Sequence, residues 1–184
     1  MKVAIVGLAQ ETHDLAPWDD PTWEKWGLPW DSEGWAKCSR LFELHDLRLL
    51  QSEASKRPAG YLTRLHEAWV PLYTQDYYTF GMRYPFDAVA KTLGRAYWNS
   101  SIAYAMALAI HEGATEIGVY GVLMDATDEY AYQRYNMEWL IGFAEGRGIK
   151  VHIPEGSPLC RFNHKGIKFF DSEPVYVDRY GWLG

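Results

Sequence analysis

Residues 97–137 read YWNSSIAYAMALAIHEGATEIGVYGVLMDATDEYAYQRYNM. Asn99 or Ser100 is placed to cap a helix. Ile102, Met106, Ala109 and Ile110 then recur at helical spacing with small Ala residues between them, and Gly113 stands where a helix ends. Residues 116–122 (EIGVYGV) read as a buried strand ending around Gly121. Asp, Glu, Tyr, Gln and Asn crowd the loop that follows. Apolar scaffold giving way to polar side chains at the carboxyl end of a strand is the pattern of open α/β sheets, which bind ligands there.

The flanking sequence repeats the pattern. Residues 2–7 (KVAIVG) are a continuous β-branched run ending in Gly, as in a central parallel strand covered on both faces. A polar loop follows over 8–14, where Thr12 or Asp14 offers a cap for a short helix. A short strand is expected near 25–28, bracketed by Pro21 and Pro29. Another is expected over 40–46, ending in His45 and Asp46. Residues 48–56 read neither way. A helix is expected over 61–68, a short strand over 70–74 and a Tyr-rich loop over 75–84. Pro85 starts a helix through Leu93, and Gly94 stops it. Asp128 caps a long amphipathic helix through Ala144, which Gly146 and Gly148 terminate, and 150–153 form a further strand. Strands alternating with helices predict an α/β fold: a single Rossmann-like domain over 1–184, with a mostly parallel sheet and helices on both faces. Residues 157–184 are expected to form an irregular tail with a hairpin around 167–177.

Composition narrows the function classes. The net charge of −6 comes without a run of Lys or Arg, which argues against duplex nucleic acid as a partner. No stretch approaches the ~20 apolar residues of a membrane span, and the N-terminal apolar run is too short for a signal peptide. Cys38 and Cys160 sit in no paired motif and read as reduced thiols of a cytoplasmic protein. The 9 Trp and 13 Tyr suit a thick core and a homo-oligomer interface, or equally stacking on a base or sugar.

Four constellations carry candidate chemistry. The loop after Gly7 brings Gln10, Thr12 and His13 to the end of the first strand, where backbone amides can approach a phosphate; an ordinary capped turn explains it as well. With Gly7 alone of the GxGxxG pattern, NAD is not expected. His45 and Asp46 offer an oriented base, although neighbours on a strand point to opposite faces and an exposed strand end is the simpler reading. Asn99, Ser100 and Ser101 are three polar residues at a helix N-terminus, where free amides favour a phosphate or ribose. Asp125, Asp128 and Glu129 suit Mg²⁺ but are explained better as caps, so no metal site is expected. Tyr132, Gln133, Arg134, Tyr135 and Asn136 offer stacking and hydrogen bonds, or form a solvated helix face. P-loop, HExxH, zinc-cluster and GxSxG patterns are all missing.

The run from Ser100 to Ile110, followed by Glu116-Ile-Gly-Val-Tyr-Gly121-Val, resembles the pattern S-[SG]-x-x-Y-x-x-x-x-A-[IL] … G-x-x-E-I-x-L-x-G-[IV]-D. That pattern belongs to bacterial sialyltransferase-like proteins and the related DUF115 (MptE-like) Rossmann domains. The Trp-Gly-Leu, Phe-Glu-Leu-His and Glu-Tyr-Ala-Tyr-Gln-Arg segments resemble those of bacteriophage proteins. The resemblance implies a nucleotide-binding Rossmann protein in which Ser100, Ser101, Tyr130, Tyr132 and Tyr135 touch a cytidine-type nucleotide. Two departures stand out. Ala9-Gln10-Glu11 replaces the family's Gly-Pro-Ser, and Asp125 lies beyond the expected strand end.

Three functions are therefore expected. The first is a nucleotide- or nucleotide-sugar-binding protein, a small glycosyl- or nucleotidyl-type transferase, with Gly7, Gln10, Thr12, His13, Asn99, Ser100, Ser101, Gly121, Tyr130, Tyr132, Gln133 and Tyr135 around the ligand. The second is a non-catalytic accessory protein that sequesters a nucleotide or binds a host protein. The third is a nucleoside N-glycosidase or deoxyribosyltransferase with Asp125 or Glu129 as the carboxylate nucleophile. In each, loops after Gly7, before Ser101 and after Gly121 converge on one cleft.

Overall fold

The computed structural model of the protein describes residues 1–29, 37–52, 57–75, 78–124 and 128–160, with backbone alone for 128–131. The expected hairpin around 167–177 and Asp125 lie outside the described residues, as do the side chains of Asp128, Glu129 and Tyr130.

Among the described residues seven strands form one sheet: β1 (Lys2–Val6), β2 (Trp23–Gly27), β3 (Arg40–Glu43), β4 (Leu72–Thr74), β5 (Met82–Arg83), β6 (Glu116–Tyr120) and β7 (Lys150–His152). Their spatial order is β5-β4-β3-β2-β1-β6-β7, and every pairing is parallel. The expectation of a mostly parallel Rossmann-like α/β sheet is therefore met in full. Chain order runs outward from β1 to β5 on one side and continues from β6 to β7 on the other. The switch point lies between β1 and β6, which align in register from Lys2 opposite Glu116 to Val6 opposite Tyr120.

Period-two alternation decides which helices cover which face. Val3, Ile5, Phe42, Tyr73, Ile117 and Val119 point into one core. There they meet α4 (Phe86–Leu93), α5 (Ser101–His111) and α6 (Asp128–Gly146). On the opposite face Leu41 and Leu72 pack with Leu50 of α2 (Leu47–Gln51) and with Tyr61 and Leu65 of α3 (Tyr61–His66). Ala4 and Val6 pack with Ala16, beyond α1 (Gln10–His13). Eight of the eleven residues of α5 are buried, more than the expected stripe, because α5 lies between the sheet and its neighbouring helices. Each fully buried Met106, Leu108 or Ile117 contributes about 1.5–3 kcal/mol.

Several local expectations are corrected. The strand expected over 40–46 stops at Glu43. Asp46 instead caps α2 by accepting the Arg48 amide at 2.8 Å, so the ambiguous stretch 48–56 begins as helix through Gln51, and 53–56 lie outside the described residues. The polar loop after β1 contains α1, whose N-cap residue is Ala9 without a side-chain cap, while Asp14 follows its C-terminus. The Tyr-rich loop holds β5, a two-residue edge strand beside β4. β6 ends at Tyr120 because Gly121 turns away with φ of 63°. The final long helix runs two residues past Ala144.

Candidate functional site at the switch point

The carboxyl ends of β1, β2, β3 and β6 open into a cleft of about 770 Å³. Its walls are Gly7–Ala9 after β1, Leu28 and Pro29 after β2, and the end of β3 through His45. Asn99, Ser100, Ser101 and Ile102 line it from the start of α5. Gly121–Met124 line it after β6, and Gln133 reaches it from α6. A volume of this size suits a small-molecule ligand, for which pockets run ~300–1,000 Å³.

Backbone contact builds the floor. Gly7 donates to the Tyr120 carbonyl at 2.8 Å, and Ala9 donates to the Gly121 carbonyl at 2.9 Å. Those two amides are thereby committed, so the loop after Gly7 does not offer them to a phosphate. Thr12 is fully buried, and its hydroxyl accepts the Gly121 amide at 2.9 Å. It ties the loops after β1 and β6 together and stays outside the cleft wall. Gln10 is exposed on α1, and His13 pairs with Asp14 at 2.9 Å and packs its ring against Trp18. Neither reaches the cleft.

The start of α5 is better placed. Ser100 caps the helix by accepting the Ala103 amide at 3.2 Å. Ser101 accepts the Leu44 amide at 3.4 Å, which ties the end of β3 to the helix start. The amides of Ser101 and Ile102 belong to the first turn, where a helix leaves its N–H groups without internal partners, and both residues line the cleft. Of the sequence-derived candidates, Gly7, Asn99, Ser100, Ser101, Gly121 and Gln133 therefore come together. Tyr132 and Tyr135, 70% and 62% exposed, stand outside the cleft wall.

A charged cluster stands at the end of β3; the sequence reading had named its His45, with Asp46 as partner, and missed Glu43, Arg57 and Tyr61. Glu43 is 1% exposed and lines the cleft with His45, Arg57 and Tyr61. His45 Nδ1 and the Tyr61 hydroxyl both hydrogen-bond the Glu43 carboxylate. Arg57 Nη2 lies 3.5 Å from Glu43 Oε2 and 3.3 Å from His45 Nδ1. Burial alone would raise the Glu43 carboxyl. The His45 hydrogen bond and charge, with Tyr61 and Arg57, outweigh it and hold the group below its usual range. Tyr61 is pushed upward by burial and by the adjacent carboxylate. His45 is thus oriented by Glu43 rather than by Asp46, whose carboxylate is turned to Arg48 and lowered to about 2. One signal was present: Glu43 and His45 are two apart in the strand expected over 40–46, where alternation puts such residues on one side. Arg57 and Tyr61 carried none.

A smaller cavity of about 510 Å³ adjoins the cleft, sharing Leu44 and Tyr104 with it, and Arg83, Phe86 and Asp87 line its far side. Among the described residues no group of three or more His, Cys, Asp or Glu is arranged to hold a metal ion. No described helix is long and apolar enough to cross a membrane.

No protein-family model matches the sequence, and no curated protein sequence matches it. Solved structures do. The sialyltransferase CstII from Campylobacter jejuni, in complex with the substrate analogue CMP-3FNeuAc, matches with a TM-score of 0.52 at 16% identity, over 86% of this chain and 80% of that one. The same enzyme with cytidine-5'-monophosphate matches with a TM-score of 0.50 at 15% identity, over 85% and 80%. Thiamine pyrophosphokinase from Bacillus subtilis matches with a TM-score of 0.48 at 12% identity. This chain spans 60% of its length. The protein is a Rossmann-like α/β protein with a ligand-sized cleft at its switch point. Its fold is distantly sialyltransferase-like.

Proposed function

We propose that the protein binds a nucleotide or nucleotide sugar in this cleft and acts as a small transferase on it. The observation that carries the reading is convergence: the loops after β1 and β6 and the N-terminus of α5 meet around one cavity of nucleotide size. The ligand's phosphate sits at the first turn of α5, against the Ser101 and Ile102 amides and the Ser101 hydroxyl, where the helix dipole favours an anion. Asn99 and Gln133 supply polar contacts to sugar or base. The adjoining cavity behind Leu44 and Tyr104 gives an acceptor a place beside the donor. The match to an enzyme solved with CMP and CMP-3FNeuAc is consistent with this assignment.

Isothermal titration of the folded protein against nucleoside mono- and diphosphates and nucleotide sugars tests it. One of them binds, and Ser101→Ala weakens that binding. A folded protein that binds none overturns the reading.

A further inference from the structure

We infer that the cleft is catalytic, with His45 accepting a proton from a hydroxyl nucleophile and Glu43 acting as its positioning residue. The inference rests on the nucleotide reading of the same cleft. It separates a transferring enzyme from a protein that only holds its ligand.

The geometry sets the tautomer. A carboxylate accepts hydrogen bonds and donates none, so the closer contact of His45 Nδ1, that with Glu43, places the proton on Nδ1; Arg57 Nη2, which also only donates and lies 3.3 Å from Nδ1, then stands there as the charge partner of Glu43 and not as a donor to the ring. In the neutral ring Nε2 is then the nitrogen with a free lone pair, on a side chain that lines the cleft and is 44% exposed. The strand end is held from several sides. The His45 amide donates to Glu43 at 3.2 Å, and the Tyr78 hydroxyl donates to the His45 carbonyl at 2.9 Å. Gln75 Nε2 donates to the Leu44 carbonyl. Glu43 is itself fixed by Tyr61 and Arg57. A buried carboxylate is costly unless paired and hydrogen-bonded. Here the partners that satisfy it include a half-exposed imidazole in a ligand-sized cavity, which is the arrangement of an oriented base. The Leu44–Ser101 hydrogen bond keeps His45 beside the proposed phosphate position.

In the step, a hydroxyl of an acceptor, or water in the simplest case, gives its proton to His45 Nε2. Its oxygen bonds to the sugar carbon that carries the donor's phosphate. The bond from that carbon to the phosphate oxygen breaks, and its electron pair leaves with the nucleotide.

Glu43 and Arg57 stand at the imidazole, with Tyr61 on Glu43, the Tyr78 hydroxyl on the His45 carbonyl and Asp46 turned aside to Arg48. Glu43 stays ionised from the ordinary carboxylate range upward.

Two measurements test the proposal. Nitrogen-15 NMR of the free protein shows His45 as the Nδ1–H tautomer, and Glu43→Gln loses that preference. Release of nucleotide from whichever nucleotide sugar binds, followed against pH, falls about 100-fold or more in His45→Gln, with affinity changed less than about threefold and the melting temperature retained. Glu43→Gln slows release more than it weakens binding; if that variant does not fold, His45→Gln and the wild-type tautomer decide alone. Binding without turnover, undiminished turnover in His45→Gln, or an Nε2–H tautomer in the wild type overturns the proposal and leaves the binding reading standing. Failure of every nucleotide and nucleotide sugar to bind removes both.

Discussion

Gly7 and Gly121 meet backbone to backbone at the switch point. A Cβ on Gly7 would lie 2.3 Å from the Gly121 carbonyl oxygen, and one on Gly121 would lie 2.4 Å from that of Gly7. The ends of β1 and β6 come this close because neither residue carries a side chain, and that approach forms the floor of the cleft.

Gly121→Ala combines an unfavourable left-handed conformation, φ of 63°, with a backbone clash. The expected cost is about 2–5 kcal/mol, of which roughly 1–2 is conformational and 1–3 is overpacking. Gly94→Ala is the control, since its φ is 77° but nothing lies within 4 Å of the added carbon, so it costs about 1 kcal/mol. Denaturant melts of both variants check the difference; equal losses would refute the steric account.

Thr12→Val keeps the shape of the buried side chain and removes the acceptor for the Gly121 amide. It is expected to destabilise by about 1–3 kcal/mol, the cost of a buried donor left unmade. Thr12→Ser keeps the hydroxyl and recovers part of that loss. The same melts should rank the three proteins wild type, Ser, Val.

Ser100 and Ser101 are adjacent but are expected to respond differently. Ser100→Ala loses the cap on the Ala103 amide and costs about 1 kcal/mol of stability. Ser101→Ala leaves that cap intact but removes the acceptor of the Leu44 amide; it should cost about 1 kcal/mol and, unlike Ser100→Ala, weaken nucleotide binding. Thermal melts paired with titration calorimetry separate the two effects. A binding defect confined to Ser100→Ala would move the ligand away from the assigned position.

Acid stability should depend on Glu43. Its folded carboxyl lies below the ordinary value of 4.5, so the unfolded chain binds the proton more readily. Its stabilising contribution is complete above that value and is lost as pH falls through it toward the folded one. Stability measured from neutral pH downward should decline less steeply in Glu43→Gln than in the wild type, although the variant starts from a lower level. Parallel curves would show that the carboxylate is not the group titrating.

Much of this architecture is written locally. The β-branched run of 2–7, the buried stretch after Ser100 and the glycines at 94, 113 and 121 identify strands, helix and turns through period and backbone freedom, which near neighbours decide. Shorter pieces were harder. β5 has two residues and no pattern, and it exists because Tyr73 and Thr74 of β4 offer an edge to Met82 and Arg83. The strand expected through His45 ends at Glu43 because Asp46 is a better cap than a ladder residue.

The site divides in the same way. Asn99, Ser100, Ser101, Gly7 and Gly121 were legible, because caps and strand-end glycines mark the carboxyl edge of a parallel sheet. Thr12 looked the same in sequence but turned inward, since the Gly121 amide needed a partner once β1 and β6 had paired. Tyr132 and Tyr135 followed the solvent side of α6.

By itself the sequence determined a parallel α/β scaffold and the positions where its loops leave it, because periodicity, glycine and capping act over a few residues. Tertiary structure alone decided which of those loops share a cleft. It also decided that a glutamate from β3 would be buried with an arginine and a tyrosine fourteen and eighteen residues further on. Such a cluster has no local signature, because its stability comes from partners that meet only after the sheet and α3 have packed.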